Sequence, residues 1–132
     1  MSSSSKAYKA NCHCGAVRYT VDVSPPLEDG RHEVSSCNCS ICARNGTYNI
    51  FVPKDQVNFV KGGNDMKDYR YLGMIHSFCP TCGTSMMVRM SASDHDWSNY
   101  YALNARTFDG IDIHKLKVKN VDMKDVGAKY EI

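Results

Sequence analysis

No stretch of this sequence stays apolar for the roughly 20 residues a membrane-spanning helix requires, so no such span is expected. Charge of one sign is also missing: 16 basic and 14 acidic side chains leave a formal net charge of +2. That balance supplies neither a basic stripe for nucleic acid nor an attraction to anionic lipid, so direct binding to either is not expected. Low-complexity sequence is confined to the serine-rich start MSSSSKAYKA, and no apolar segment of a secretory leader lies within it. The expected compartment is therefore a reducing one, cytoplasm or nucleus, where clustered cysteines bind metal or do chemistry more often than they form disulfides. A composition of 42% hydrophobic and 23% charged residues argues against disorder over most of the length. At 132 residues the chain fits a single domain, placed at residues 8–132 behind a flexible N-terminus of residues 1–7.

What is present is short, alternating and β-branched. AVRYTVDV (16–23), TYNIFV (47–52), VNFVKG (57–62), KDYRYL (67–72), SMMVRM (85–90) and NYYALNA (99–105) read as strands separated by Gly, Pro, Asn and Asp. The fold class is mainly β. SPPLEDG (24–30) must be a loop, KGGND (61–65) reads as a hairpin turn, and SASDHDWSN (91–99) as a polar surface loop. One helix is expected after Cys39, where SICARNG ends in a glycine suited to a C-terminal cap.

Cysteine is the abundant exception, with seven residues in three groups: Cys12 and Cys14; Cys37, Cys39 and Cys42; Cys79 and Cys82. An odd number cannot pair fully as disulfides. Alternation along an extended backbone would aim both sulfurs of a C-x-C pair at one ion, and C-x-x-C followed by glycine is a metal knuckle. Cys12, Cys14, Cys79 and Cys82 together supply four thiolates, a closed tetrahedral zinc site that would staple the first strand to a distant hairpin. Cys37, Cys39 and Cys42 supply three, the count of a site that keeps one position open. Two alternatives stand beside this. His13, His32 or His76 could close the second site as a fourth ligand, and CPTC could be a redox pair, although a redox motif is expected where a strand enters a helix.

Three thiolates donate much charge to an ion, which weakens it as an activator of water and favours another sulfur as the fourth ligand. The chemistry expected of an open site is then the making or breaking of a carbon–sulfur bond, with the sulfur held as thiolate.

CHCGAVRY, CNCSICARNG and FCPTCGT at these separations resemble the glutathione-dependent formaldehyde-activating enzyme family, also called the GFA or CENP-V domain family. The resemblance spans roughly residues 8–120 and implies an Mss4-like fold of twisted antiparallel sheets stapled by zinc. It implies two zinc ions per chain: a structural one on Cys12, Cys14, Cys79 and Cys82, and a catalytic, more labile one on Cys37, Cys39 and Cys42. The implied activity is that of a carbon–sulfur lyase, S-(hydroxymethyl)glutathione synthase-like, with glutathione or another small thiol adduct as partner. A later segment, YALNARTFDG, also resembles the family through Asn104, Arg106, Asp109 and Gly110. Where many members carry two basic residues after the third cysteine, this chain has Ala43 and Arg44. A non-catalytic CENP-V-like interaction module, or a specialised-metabolism enzyme with another substrate, are the alternatives; a homo-oligomer is left open.

Glutathione carries two carboxylates, so its pocket should offer cationic or N–H donors. Arg44, Thr47 and Arg106 are the expected substrate contacts, with Asn45 and Tyr48 close enough in sequence to join them. His76 is a proton carrier or a structural histidine, and His13 should point away from the metal. His32, His95 and His114 read as superficial, Trp97 as a lid or a loop anchor, and the methionines of SMMVRM as core filler.

Overall fold

The computed structural model describes residues 4–90, 96–125 and 129–132; His95 lies outside this set, and only the backbone of Asp96 and Trp97 is described. Ten strands and one short helix make up the regular structure among these residues: β1 (Lys6–Asn11), β2 (Arg18–Val23), β3 (Val34–Cys37), α1 (Ser40–Asn45), β4 (Asn49–Pro53), β5 (Val57–Lys61), β6 (Lys67–Tyr71), β7 (Met74–Phe78), β8 (Ser85–Met90), β9 (Tyr100–Asn104) and β10 (Val118–Val121). Two sheets result, a small one ordered β1-β2-β5 and a large one ordered β10-β3-β4-β9-β8-β7-β6. Every pairing is antiparallel except β10 with β3, which is parallel. The mainly β expectation holds.

Alternation dictates which faces meet. Tyr8 and Ala10 of β1, and Tyr19, Val21 and Val23 of β2, point inward together. Ile50, Val52, Met86, Met87 and Leu103 of the large sheet complete the same core. Phe108, beyond β9, stacks on Tyr8 with ring centroids 5.3 Å apart and meets Tyr19 edge-on at 6.3 Å. Each such fully buried side chain contributes about 1.5–3 kcal/mol of transfer free energy.

Two expectations are corrected here. KGGND is a turn but closes no hairpin, because β5 pairs with β2 while β6 pairs with β7. The segment instead hands the chain from one sheet to the other. It passes so close to the β1–β2 connection that a side chain at Gly62, where φ is +76°, would lie 2.3 Å from the Ala16 carbonyl oxygen. Only glycine fits. The N-terminal tail is also shorter than expected, since Lys6 and Ala7 already pair with Val23 and Asp22.

The other face of the large sheet positions the site. A row of side chains crosses five strands through the register Phe51, Ala102, Val88, His76 and Tyr69. Beside it run Tyr71, Met74 and Met90. This face does not pack into the core; it forms the floor of a cavity.

Candidate metal centres and the cavity above one of them

The β1–β2 connection and the β7–β8 connection meet at their tips. There the four sulfurs of Cys12, Cys14, Cys79 and Cys82 lie within 4.8 Å of one another. Cys14 Sγ is 3.7 Å from both Cys12 Sγ and Cys79 Sγ. A tetrahedron of thiolates with bonds of about 2.3 Å has sulfur–sulfur edges of about 3.8 Å, so these separations fit one ion. Each half is a tight turn, closed by Gly15 N–H donating to the Cys12 carbonyl (3.1 Å) and Gly83 N–H donating to that of Cys79 (2.9 Å). Both glycines have φ near +80°. The C-x-C pair therefore converges through a turn rather than through the strand alternation expected from sequence. His13, in that turn, is exposed and uses its N–H on Thr84 Oγ1 at 3.2 Å, tying the two tips together.

Backbone donors surround the sulfurs. Val17 N–H donates to Cys12 Sγ at 3.2 Å and Thr81 N–H to Cys79 Sγ at 3.3 Å. The Thr84 hydroxyl, 3.2 Å from Cys82 Sγ, heads the causes that hold that thiol down to about 5. Such contacts favour thiolates and orient them, as partners around a metal's ligands do.

The second cluster is built from one continuous segment. Cys37 ends β3, Cys39 precedes α1, and Cys42 lies one turn into it; Gly46, with φ of +65°, caps α1 as expected. The three sulfurs lie within 4.8 Å of one another, and no histidine, cysteine or carboxylate among the described residues joins them as a fourth. Burial raises the Cys37 thiol and pushes that of Cys42 up to about 12, so without a cation these two thiols are protonated near neutral pH. Both clusters could hold a metal ion, and their donor sets differ as four does from three.

A cavity of about 460 Å³ opens beside the three-cysteine cluster, and Cys37, Cys39 and Cys42 form part of its wall. Its floor is the sheet face already described, represented by Phe51, Met74, Val88 and Ala102. Leu72 stands at the β6–β7 turn with φ of +49°, and Val121 and Met123 close the side nearest β10. Polar groups gather toward the cysteines. Ser35 pairs with Asn49 across β3 and β4, its hydroxyl 3.2 Å from Glu33 Oε2, and Asn49 Nδ2 lies 3.9 Å from Cys42 Sγ. His76 also lines the cavity, and burial lowers its pKa, leaving the ring neutral at pH 7.

The expected substrate contacts lie elsewhere. Arg44 is exposed, donates to the Ser40 carbonyl at 2.9 Å and sits 4.9 Å over the Tyr130 ring. Arg106 is exposed and lies 4.8 Å over Tyr48. Thr47 is buried beside Cys42, where its side chain opposes the larger effect of burial on that thiol. None of the three lines the cavity. Asn104 is a brace: its Oδ1 accepts the N–H groups of Tyr48 (3.3 Å) and Arg106 (3.2 Å), and its Nδ2 donates to the Ser85 carbonyl (2.8 Å). Among the other histidines, none of His13, His32 and His114 takes part in either cluster.

Sequence reasoning missed Asn49, Glu33 and the apolar wall. The signal for Asn49 was its polarity within an otherwise apolar strand; Leu72 and Met123 carry none, because only tertiary structure brings them together.

A mainly β chain with one cluster of four cysteines and one of three is a cysteine-cluster protein with two candidate metal centres. Residues 7–120 match the sequence profile of the glutathione-dependent formaldehyde-activating enzyme family, GFA, and the chain belongs to that family. Its fold is similar to the crystal structure of a Rhodobacter sphaeroides protein, with a TM-score of 0.65 and 26% identity over 80% of this chain and 92% of that one.

Proposed function

We propose that the protein is a zinc-dependent carbon–sulfur lyase acting on a hydroxymethyl-type adduct of a small thiol, with Cys37, Cys39 and Cys42 as the reactive centre. The observation that carries this reading is the three-sulfur cluster without a fourth protein ligand among the described residues, opening onto a cavity. Membership of a glutathione-dependent formaldehyde-activating family supports it. When bound at the three cysteines, zinc supplies a soft Lewis acid that keeps the substrate sulfur ionised at neutral pH.

The chain's own groups then have defined tasks. In an RS–CH2OH adduct the carbon–sulfur bond breaks with its electron pair leaving on sulfur, while the hydroxyl loses its proton and its O–H pair becomes the carbonyl of the released aldehyde. His76 is neutral and lines the cavity, so a ring nitrogen can accept that proton. Asn49 donates toward Cys42 and orients that sulfur. Cys12, Cys14, Cys79 and Cys82 hold the structural ion.

Zinc per chain, measured on protein purified without chelator, should be near two and fall by one in Cys39→Ser with the fold retained. The wild type should accelerate exchange between a thiol, formaldehyde and their adduct in two-dimensional exchange NMR, and the variant should not. Zinc retained in the variant, or a wild type without effect on any thiol adduct, would defeat the proposal and leave a non-catalytic interaction module.

A further inference from the structure

The geometry points to an apolar thiol, one bearing an aryl or branched alkyl group and no carboxylate, as the substrate this cavity takes. This inference rests on the lyase reading of the three-cysteine centre and narrows its substrate.

Charge supplies the first argument. No lysine or arginine lines the cavity among the described residues, and all 16 basic side chains of the sequence belong to described residues. The charged group that does line it is Glu33, a carboxylate already paired with Lys119 at 3.6 Å, so it adds no positive charge to the wall. Three thiolates around a divalent ion leave a further net negative charge, and His76 is neutral. A neighbouring hollow, which shares Phe51, Met74, Val88 and Ala102 with the cavity and extends it toward Tyr100 and Met90, does contain Arg89. That guanidinium is already committed, at 2.9 Å from Asp68 Oδ2 and 3.3 Å from Ser77 Oγ. The two carboxylates of glutathione would thus lose their water against methionine, valine and phenylalanine with no free cation to replace it.

Shape supplies the second. The polar groups Ser35 and Asn49 sit at the cysteine end, while the floor beyond them is Phe51, Ala102, Val88 and Met74. A ligand anchored by sulfur therefore lays its substituent on hydrocarbon. Leu72 strengthens the case: it is 56% exposed and holds a left-handed backbone that is costly for a leucine, yet it presents its side chain to this cavity. Val121 and Met123, which form another wall, fall past residue 120, where the family match ends. This wall belongs to the chain rather than to the matched family region.

Cobalt(II) substitution at the three-cysteine cluster gives a readout independent of turnover, because a thiol entering the fourth position changes the visible absorption bands. Phenylmethanethiol should saturate that change at a concentration about thirtyfold lower than glutathione, the discrimination expected from burying one phenyl group. Leu72→Lys should narrow the ratio at least tenfold, and Met74→Lys provides the same test from the sheet floor should the first variant not fold. Equal or tighter binding of glutathione would overturn the apolar inference and leave the lyase reading standing. Bands that respond to neither thiol would overturn both. A ratio that survives both folded lysine variants would show that the cavity does not hold the substituent.

Discussion

The two cysteine clusters differ in what they join. Cys12 and Cys14 lie 65 residues or more from Cys79 and Cys82, on hairpin tips from two different sheets. Cys37, Cys39 and Cys42 lie within one turn of chain. An ion at the first closes a long loop and docks two sheets; an ion at the second orders a strand end and a single helical turn. Under the proposed function the first would be wound into folding and the second free to exchange ligands.

The comparison breaks most visibly under single serine substitutions. Cys79→Ser should abolish cooperative folding or cost on the order of 5 kcal/mol, comparable to the whole stability of a small domain. Cys39→Ser should stay within about 1 kcal/mol of wild type by thermal melting followed by circular dichroism. Equal losses in the two variants would mean that both clusters are structural.

A finer contrast lies in pH and metal removal. Burial holds Cys42 up to about 12, so its thiol takes back a proton when an ion leaves; in the four-cysteine cluster Cys82, held down to about 5 chiefly by Thr84, stays ionised, while Cys14, lowered by the Ala16 backbone but raised more by burial and the neighbouring sulfurs to about 11, takes one back. Lowering the pH from 8 to 7 should weaken zinc binding at the three-cysteine cluster about tenfold through this one ligand. Under a chelator the ion at Cys37, Cys39 and Cys42 should leave first, read by a chromogenic zinc indicator with the fold monitored in parallel. Loss of the other ion first would reverse the assignment.

The smallest effect belongs to His76. Its pKa in the folded protein is below the ordinary value near 6.5, because burial penalises the charged ring. Falling pH protonates the unfolded chain first, so this group's stability is fully present above about 6.5 and is lost progressively below it. Glu33 and Tyr71 share its cavity, and Asp68 and Tyr69 flank it from β6. The melting-temperature difference between wild type and His76→Gln should be constant above pH 7 and shift in the variant's favour toward pH 5.5. A constant difference throughout would place the ring in solvent.

Metal-ligand chemistry was the most legible part of the sequence, because ligand type and spacing are local. Strands rich in aromatic and β-branched residues were equally open to reading, from Arg18–Val23 to Tyr100–Asn104. Less visible were β1, β3, β7 and β10: KAYKAN, VSSC, MIHSF and VKNV are short, and three of them are largely polar. Neighbours across the sheet, not intrinsic preference, make them strands. The cavity could not be read at all, since Phe51, Ala102, Val88 and His76 become neighbours only through cross-strand register. Arg44 and Arg106 drew notice through their closeness in sequence to motifs, and both instead cover tyrosine rings.

Asn38, between Cys37 and Cys39, holds the chain beyond β10: its Oδ1 accepts the N–H groups of Met123 (2.7 Å) and Lys124 (3.0 Å), and its Nδ2 donates to Asp122 at 2.9 Å. The loop that carries two ligands is thereby coupled to a segment that walls the cavity. Coupling of this kind is reciprocal. Under the proposed function an ion at the cluster would steady the wall, and a hydrophobic guest leaning on Met123 would tighten the cluster's grip on that ion.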